Sequence, residues 1–220
     1  MRYEAVIFDM DGVIFDSERL VTEAWKEVAS RRGIPDIEEV CIQCLGINAA
    51  LTRETFLRRY GTAFPYEECQ KEVSDLFHSR YDGGRLPTKP GVRRLLTYLS
   101  ENGWLVGLAS STRRAVVTQE ITDAGLLPFF GTLTCGDMVS RSKPEPDIFL
   151  KACENLGVEP ERAFAVEDSF NGVRAASRAG MTPIMVPDMA APDEEMRRLA
   201  HVILPTLVDV RDWLQRLPSD

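Results

Sequence analysis

The alternation of short apolar runs with helical patterns after Pro87 constrains the fold of this chain more than any other feature. Strands are predicted at 104–109, 132–134, 163–166, 183–186 and 202–204. The helices between and after them are predicted near 91–101, 113–124, 146–157, 169–180, 193–199 and 207–216. Strands that alternate with helices form right-handed βαβ units, which build a parallel sheet covered on both faces. The sequence therefore predicts an α/β fold with a Rossmann-like parallel sheet.

An apolar run at 4–8 predicts one more buried strand near the start of the chain. Behind this strand the spacing of apolar residues becomes helical and stays helical up to the prolines before the second strand. The simplest arrangement is an α/β core of residues 1–16 plus 86–220. An all-helical cap domain, residues 17–85, is then inserted after the first strand.

The composition narrows the possible partners. With 44% hydrophobic and 27% charged residues the chain is typical of a soluble protein, and its net charge of −8 without a basic stripe argues against nucleic acid. No apolar run approaches the ~20 residues of a membrane span, and the N-terminus has no signal-peptide pattern. We expect a cytoplasmic monomer without a membrane partner.

The five cysteines predict free thiols rather than disulfide bonds, because their number is odd and no secretion signal precedes them. Cys41 and Cys44 form a single CxxC motif within a helical stretch. His78 and His201 are the two histidines of the chain, too few to complete a zinc site with this motif. We expect buried or half-buried thiols.

Two aspartates follow the first strand directly, as Asp9-Met10-Asp11-Gly12. Strand side chains alternate between faces, so Asp9 and Asp11 start on the same side, and Gly12 lets a ligand approach the backbone. Such a carboxylate pair can carry nucleophilic, acid–base and metal-binding chemistry, or it can form a polar turn without function. A calcium-binding EF-hand loop is disfavoured, because its glycine and its last glutamate would fall elsewhere.

Polar side chains also follow three later strands. Ser110 and Ser111 follow the second strand, Lys143 lies in the loop after the third, and Glu167 and Asp168 follow the fourth. Taken singly, they can be helix caps or a solvated lysine. Ligands of open parallel sheets bind at the carboxyl ends of the strands, where these residues would meet. Oxygen ligands for Mg²⁺, hydroxyl groups for phosphate and one positive charge together predict phosphoryl transfer.

Four fragments in this order resemble the haloacid dehalogenase-like superfamily, in the branch with a helical cap after the first strand. They are Asp9-Met10-Asp11-Gly12-Val13, Leu108-Ala109-Ser110-Ser111, Ser142-Lys143-Pro144-Glu145-Pro146-Asp147 and Val166-Glu167-Asp168-Ser169-Phe170-Asn171-Gly172. The resemblance covers essentially the whole chain. It implies that Asp9 is a nucleophile that forms an aspartyl-phosphate and that Asp11 is the general acid and base.

The resemblance also implies roles for the remaining motif residues. Ser110 would bind the transferring phosphoryl group, and Lys143 would bridge the nucleophile and the phosphate. Glu167 and Asp168 would hold Mg²⁺ together with Asp9 and the carbonyl group of Asp11. An acid at the position of Asp11 favours phosphate chemistry over dehalogenation.

Within the superfamily the chain is most similar to the branch that contains β-phosphoglucomutase and sugar-phosphate phosphatases. Mutases have a His on the first cap helix and an Arg in a cap loop, and the matching positions here are Val21 and Ala49. The loss of both features favours hydrolysis. Arg53, one helical turn further on, and Arg113 remain candidates for holding a second phosphate.

We therefore expect a Mg²⁺-dependent phosphatase of a small phosphorylated metabolite, such as a sugar or polyol phosphate. A phosphomutase and a non-catalytic phosphate-binding protein are the alternatives. Trp25 lies outside the motifs, and its position on an apolar stripe fits the core of the cap at least as well as the substrate site. The candidate phosphate- and substrate-binding residues are Gly12, Ser111, Arg113, Asn48, Arg53 and Trp25.

Overall fold

Six parallel strands form one sheet with the order β3-β2-β1-β4-β5-β6 in the computed structural model, which describes residues 3–217. The predicted ends of the core, residues 1–2 and 218–220, lie outside the described residues. The parallel α/β sheet predicted from the sequence is confirmed. Its strands are β1 (Ala5–Phe8), β2 (Leu105–Ser110), β3 (Thr132–Cys135), β4 (Ala163–Glu167), β5 (Thr182–Met185) and β6 (Val202–Ile203).

The first strand in the chain is central in the sheet. Its residue Ala5 pairs with Leu105 of β2 on one side and with Ala163 of β4 on the other. All four residues of β1 are fully buried, which explains why the strand is an uninterrupted apolar run. The carboxyl ends of β2 and β4 therefore flank the point where the chain leaves β1.

Helices cover both faces of the sheet. The side chains of β1 alternate between the two faces and are all apolar, so both faces must be covered. Val6 and Phe8 face one hydrophobic cluster, and Ala5 and Ile7 face another. Helices α5, α6 and α10 contribute to the first cluster, and α7 and α8 to the second. The helices of this part are α5 (Val92–Glu101), α6 (Arg114–Asp123), α7 (Asp147–Leu156), α8 (Phe170–Arg178), α9 (Glu194–Leu199) and α10 (Leu207–Leu214).

Four helices lie between β1 and α5, so the helical pattern predicted for this stretch is confirmed. They pack around a hydrophobic cluster of their own, in which the rings of Trp25 and Phe56 lie 4.5 Å apart. The side chain of Asn48 accepts a hydrogen bond from the Leu51 amide and so caps the third of these helices. The helices are α1 (Ser17–Arg32), α2 (Ile37–Gln43), α3 (Ala49–Tyr60) and α4 (Tyr66–Tyr81).

A cavity lies between the end of α4 and α6, and Glu120 of α6 is one of its lining residues. Burial raises the pKa of Glu120 to about 8, and the charges of Asp11, Asp82 and Asp123 add to the shift. The unfolded chain gives up this proton at a lower pH than the folded protein does. Folding stability therefore falls as the pH rises from about 4.5 to about 8.

We expect Glu120→Gln to stabilise the protein at high pH only. The gain at pH ~9 is ~1–2 kcal/mol, or about 3–6 °C in Tm, after allowance for water access. At pH ~4 the wild type and Glu120→Gln should have the same Tm, because the side chain at position 120 is then neutral in both proteins. Thermal denaturation at both pH values measures this, with exposed Glu101→Gln as the control. Equal Tm values of wild type and Glu120→Gln at high pH would show that Glu120 is well solvated.

Candidate active site

Asp9 lies at the carboxyl end of the central strand, where its neighbours hold it in place. Its backbone amide donates to the Val166 carbonyl of β4 at 2.9 Å, which continues the pairing of β1 by one residue. The side chain is almost completely buried. Its Oδ1 atom accepts a hydrogen bond from Lys143 Nζ at 2.5 Å.

Lys143 is completely buried, which excludes the solvated lysine considered for this loop in the sequence analysis. Its ammonium group donates to Asp9 Oδ1, to Glu167 Oε1 at 2.6 Å and to the Ala109 carbonyl at 3.1 Å. It also lies 5.0 Å from the ring centre of Phe149. Three acceptors match the three protons of the ammonium group. Burial lowers the pKa of Lys143, but the two carboxylates outweigh this effect and raise it above its usual value.

The carboxyl groups around Lys143 are crowded. Burial raises the pKa of Asp9 to about 8; the charges of Glu167 and Asp11 add to this shift, and Lys143 opposes it. Burial also raises the pKa of Asp168 well above its usual value, with Glu167 and Asp9 as further causes. One lysine does not neutralise this set of carboxylates, so the site favours an additional cation.

The site has the donor atoms for that cation. Oxygen atoms of Asp9, Glu167 and Asp168 lie within 4.8 Å of one another. Among the contacts of residues 3–217, no hydrogen bond reaches the carboxylate of Asp168, although this residue is only 3% exposed. Carboxylate oxygens are the ligands that hard divalent cations prefer. The residues present therefore fit a divalent metal ion.

Glu167 differs from Asp168, because both of its carboxylate oxygens accept hydrogen bonds from protein groups. Oε1 accepts from Lys143, and Oε2 accepts from the amides of Asp168 and Ser169 and from the Ser169 hydroxyl, at 3.1 to 3.3 Å. Ser169 also caps α8 by accepting from the Gly172 amide. Ser169 therefore caps the helix, as the capping interpretation of this segment predicts, while Glu167 and Asp168 lie beside Asp9.

Two glycines leave space for these carboxylates. Gly12 has a φ of +80°, and a Cβ atom on it would lie 2.3 Å from Asp168 Oδ2. A Cβ atom on Gly172 would lie 1.9 Å from Glu167 Cδ. Any side chain at either position would displace a carboxylate of the cluster.

Asp11 is held by hydroxyl groups from two elements. Its carboxylate accepts from Ser17 Oγ at 2.6 Å and from Thr112 Oγ1 at 3.0 Å, and Ser110 Oγ lies 3.5 Å away. The sequence predicted Ser110 at this edge but did not identify Ser17, which looks like an ordinary first residue of α1. The N-cap residue of α6 is Arg113, so the hydroxyl groups of Ser111 and Thr112 do not cap this helix. They donate instead to the Gly46 carbonyl and to Asp11.

A cavity of about 210 Å³ opens beside Asp9 and Asp11. Ser111 and Thr112 line it from the sheet, and Trp25 lines it from the helices. Glu18, in the first turn of α1, also lines this cavity and was not predicted from the sequence. The complete set of lining residues is Asp9, Asp11, Glu18, Val21, Thr22, Trp25, Cys41, Cys44, Gly46, Ile47, Thr52, Phe56, Ser111 and Thr112.

The turn between α2 and α3 borders this cavity and is held by hydrogen bonds to residues that follow the strands of the sheet. Ser111 Oγ donates to the Gly46 carbonyl at 3.1 Å, and the Asn48 amide donates to Ser142 Oγ at 3.1 Å. The side chain of Asn171 donates to the Leu45 carbonyl at 3.2 Å. A bound ligand would therefore be shielded from bulk water.

Four of the six predicted phosphate- and substrate-binding residues do not line the cavity. Gly12 lies against the side chain of Asp168 instead, and the other three lie elsewhere. Arg53 is half exposed and donates to Glu67 at 2.6 Å on the helical surface. Arg113 is exposed at the start of α6, and the side chain of Asn48 is engaged as the cap of α3. The roles proposed for these three residues in the sequence analysis remain predictions.

The cysteines are free thiols, as predicted, and four of the five are buried. Burial raises the pKa of Cys41 to about 12 and that of Cys44 to about 11, so both thiols are neutral at physiological pH. They contribute to the cavity wall as weakly polar groups.

Comparisons with known proteins identify the family of the chain. The model of the haloacid dehalogenase-like hydrolases matches residues 3–180. A phosphorylated carbohydrates phosphatase of Thermotoga maritima is 33% identical over 181 residues, which cover 82% of this chain and 83% of that protein. The β-phosphoglucomutase of Bacillus subtilis is 32% identical over 191 residues, which cover 83% of each chain.

Solved structures agree with this assignment. The crystal structure of CbbY from Rhodobacter sphaeroides in complex with phosphate matches with a TM-score of 0.77 and 28% identity, over 94% of this chain and 96% of that chain. In residues 3–217 we find no helix long and apolar enough to cross a membrane. The resemblance seen in the sequence is therefore confirmed: the chain belongs to the haloacid dehalogenase-like hydrolases, as a phosphoric monoester hydrolase of that family.

Proposed function

We propose that the protein is a Mg²⁺-dependent phosphatase that hydrolyses a small phosphorylated metabolite, such as a sugar or polyol phosphate, through an aspartyl-phosphate. The observation that carries this proposal is the hydrogen bond between Asp9, which lines the cavity, and the buried Lys143. A carboxylate held in this way is oriented for attack on phosphorus.

The reaction has two steps. Asp9 forms a bond to phosphorus while the ester P–O bond breaks, and Asp11 donates a proton to the leaving oxygen. Asp11 then accepts a proton from the water molecule that attacks the aspartyl-phosphate, which releases inorganic phosphate and restores Asp9. Ser110 and Lys143 bind the oxygens of the transferring group. Mg²⁺, held by Asp9, Glu167, Asp168 and the Asp11 carbonyl, would supply the charge that offsets phosphate and carboxylates.

We further propose that residues 17–85 act as a cap domain on a core of residues 1–16 plus 86–220. The hydrophobic cluster around Trp25 supports this division, while Leu20 of α1 and Phe77 of α4 join the helical segment to the cluster of Val6 and Phe8. The hydrogen bonds of the turn at Gly46 to the core support a closed state that keeps water out during the first step.

A phosphomutase remains the second candidate, since a relative of that name is similar over most of the chain. Val21 lines the cavity at the position where mutases have a His, and Arg53 pairs with Glu67 at the surface. A mutase must also hold a second phosphate, for which the cavity lining contains no Lys or Arg side chain among the described residues. These observations favour hydrolysis.

Phosphorus NMR separates the candidates. The protein is incubated with Mg²⁺ and sugar phosphates that include β-glucose 1-phosphate and a trace of its 1,6-bisphosphate. Growth of the free phosphate signal supports a phosphatase, whereas conversion to the 6-phosphate with little free phosphate establishes a mutase. A protein that binds phosphate without catalysis would leave the signals of free phosphate and of the 6-phosphate unchanged.

Removal of the divalent metal should stop the reaction. We expect less than ~1% of the activity after treatment with EDTA and full recovery on addition of Mg²⁺, because the crowded carboxylates repel phosphate without a cation. Phosphate release during a Mg²⁺ titration measures this. Addition of Zn²⁺-saturated EDTA is the control for effects of the chelator itself. Undiminished activity in EDTA would exclude the metal role of Glu167 and Asp168.

A further inference from the structure

The loop that follows β5 brings one more carboxylate to the edge of the sheet where the cluster of acidic residues lies. The Val186 amide donates to the Glu167 carbonyl at 2.7 Å, so the chain still runs beside β4 after β5 has ended. Asp188 follows two residues later. The next residue, Met189, accepts a hydrogen bond through its sulfur from Thr22 Oγ1 at 3.7 Å, and Thr22 lines the cavity. This loop therefore contacts both the strand that carries Glu167 and the helix that forms the cavity wall.

The two carboxylate oxygens of Asp188 have different surroundings. Oδ1 accepts a hydrogen bond from Lys89 Nζ at 2.5 Å. Oδ2 is buried, and no hydrogen bond reaches it from any of residues 3–217. Within that range one other buried side-chain oxygen lacks a hydrogen bond, Asp147 Oδ2, and it forms an ion pair with Arg141 at 2.9 Å. A buried carboxylate oxygen without a donor is unfavourable, so Asp188 Oδ2 requires a donor from outside the protein chain.

A divalent ion would supply such donors at this edge of the sheet. Mg²⁺ keeps several water molecules when carboxylates bind it, and their protons need acceptors. Glu167 has little capacity for them, because both of its oxygens already accept from protein groups. Asp188 is close enough for its charge to act on Asp168: burial raises the pKa of Asp168, and the charge of Asp188 is one of the further causes. An acceptor without a donor thus lies near a carboxylate that can hold the ion.

We propose that Asp188 is an outer-sphere residue of the divalent metal site, whose Oδ2 atom accepts a hydrogen bond from the hydration shell of the ion. Lys89 holds Oδ1 and thereby fixes the direction of Oδ2. Lys89 is itself held where the chain returns from the helical segment, since its amide donates to the Ile14 carbonyl at 2.8 Å. The affinity for the metal then depends on the pair of Lys89 and Asp188 as well as on the carboxylates of the cluster. This inference rests on the metal ion of the proposed function and not on the reaction.

Asp188→Asn tests the inference, because it keeps the shape of the side chain and replaces one acceptor oxygen by an NH₂ group. The probe is Mn²⁺ alone, and the electron paramagnetic resonance signal of free Mn²⁺ measures its Kd for the protein without substrate. We expect Asp188→Asn to bind Mn²⁺ at least ~10-fold more weakly than the wild type. The Mg²⁺ concentration for half-maximal phosphate release should rise by a similar factor, whereas kcat at saturating Mg²⁺ should change less than ~3-fold.

A double variant separates the local hydrogen bond from the long-range effect of charge. Lys89→Met/Asp188→Asn keeps the net charge and leaves neither partner unpaired, so it also decides the question if Asp188→Asn does not fold. It should bind Mn²⁺ at least ~10-fold more weakly than the wild type, whereas a purely long-range effect would leave the Kd unchanged. Asp75→Asn and Lys71→Met/Asp75→Asn are the matched controls. Lys71 and Asp75 form an exposed pair of the same kind on α4, and both controls should keep the wild-type Kd.

The outcomes separate this inference from the proposed function. A wild-type Kd for Mn²⁺ in folded Asp188→Asn, or in the double variant, would overturn the role of Asp188. A large loss of kcat at saturating Mg²⁺ with an unchanged Kd would overturn it as well, because Asp188 would then act on the substrate. Both results leave the phosphatase function standing. Weaker Mn²⁺ binding in the variants of a protein that releases phosphate from no ester would support the inference and contradict the proposed function.

Discussion

Asp9→Asn is expected to lower phosphate release at least ~10⁴-fold, since an amide does not attack phosphorus. The fold should survive, because Asn has nearly the same shape and Lys143 keeps its hydrogen bonds to Glu167 and the Ala109 carbonyl. Release of inorganic phosphate measures the activity, and thermal denaturation measures the stability. Wild-type turnover in Asp9→Asn would refute the covalent mechanism.

Asp11→Asn provides the matched comparison for this result. It retains the nucleophile and removes the group that activates water, so the aspartyl-phosphate should accumulate in this variant. Intact-protein mass spectrometry during turnover detects the added phosphoryl group. If the adduct also forms on Asp9→Asn, the attachment site is a different residue.

Lys143→Met is expected to be the most destabilising of the substitutions considered. It leaves Asp9 and Glu167 buried and close together without a cation, a situation that costs ~3–5 kcal/mol. Activity should fall at least ~10³-fold, because the phosphoryl group loses a positive partner and the nucleophile loses its orientation. Urea denaturation near neutral pH and phosphate release measure the two effects.

Lys151→Met is the control for Lys143→Met. Lys151 lies on the surface of α7, where its pair with Glu154 is largely solvated. We expect its replacement to change stability by less than ~0.5 kcal/mol and to leave activity unchanged. Equal loss of stability in the two variants would mean that the buried ion pairs of Lys143 contribute little.

The sheet and the group of polar residues at its carboxyl edge could be predicted because four of the strands in the sequence are followed by polar residues that an apolar strand does not need. The alternation of strands and helices then requires these ends to meet. Which strands are neighbours was not predictable in this way. The contact of Lys143 with both Asp9 and Glu167 depends on β1 lying beside β4, and only the folded chain shows this.

The cavity wall was the part that sequence reasoning identified least well. An acidic residue in the first turn of a helix is typical of favourable dipole interactions, so Glu18 gave no separate signal. Arg53 seemed to be available for phosphate, but its partner Glu67 belongs to another helix. Both placements follow from how α1, α3 and α4 pack, and local patterns do not encode that packing.

The central position of β1 has a consequence for synthesis on the ribosome. Its neighbours, β2 and β4, begin only at Leu105 and Ala163, so β1 is made long before either partner and waits until both of its edges can be paired. An unpaired apolar strand is a site for aggregation, which makes the nascent chain dependent on protection during this interval. Asp9 is therefore translated long before Lys143 and Glu167, which surround it in the folded protein.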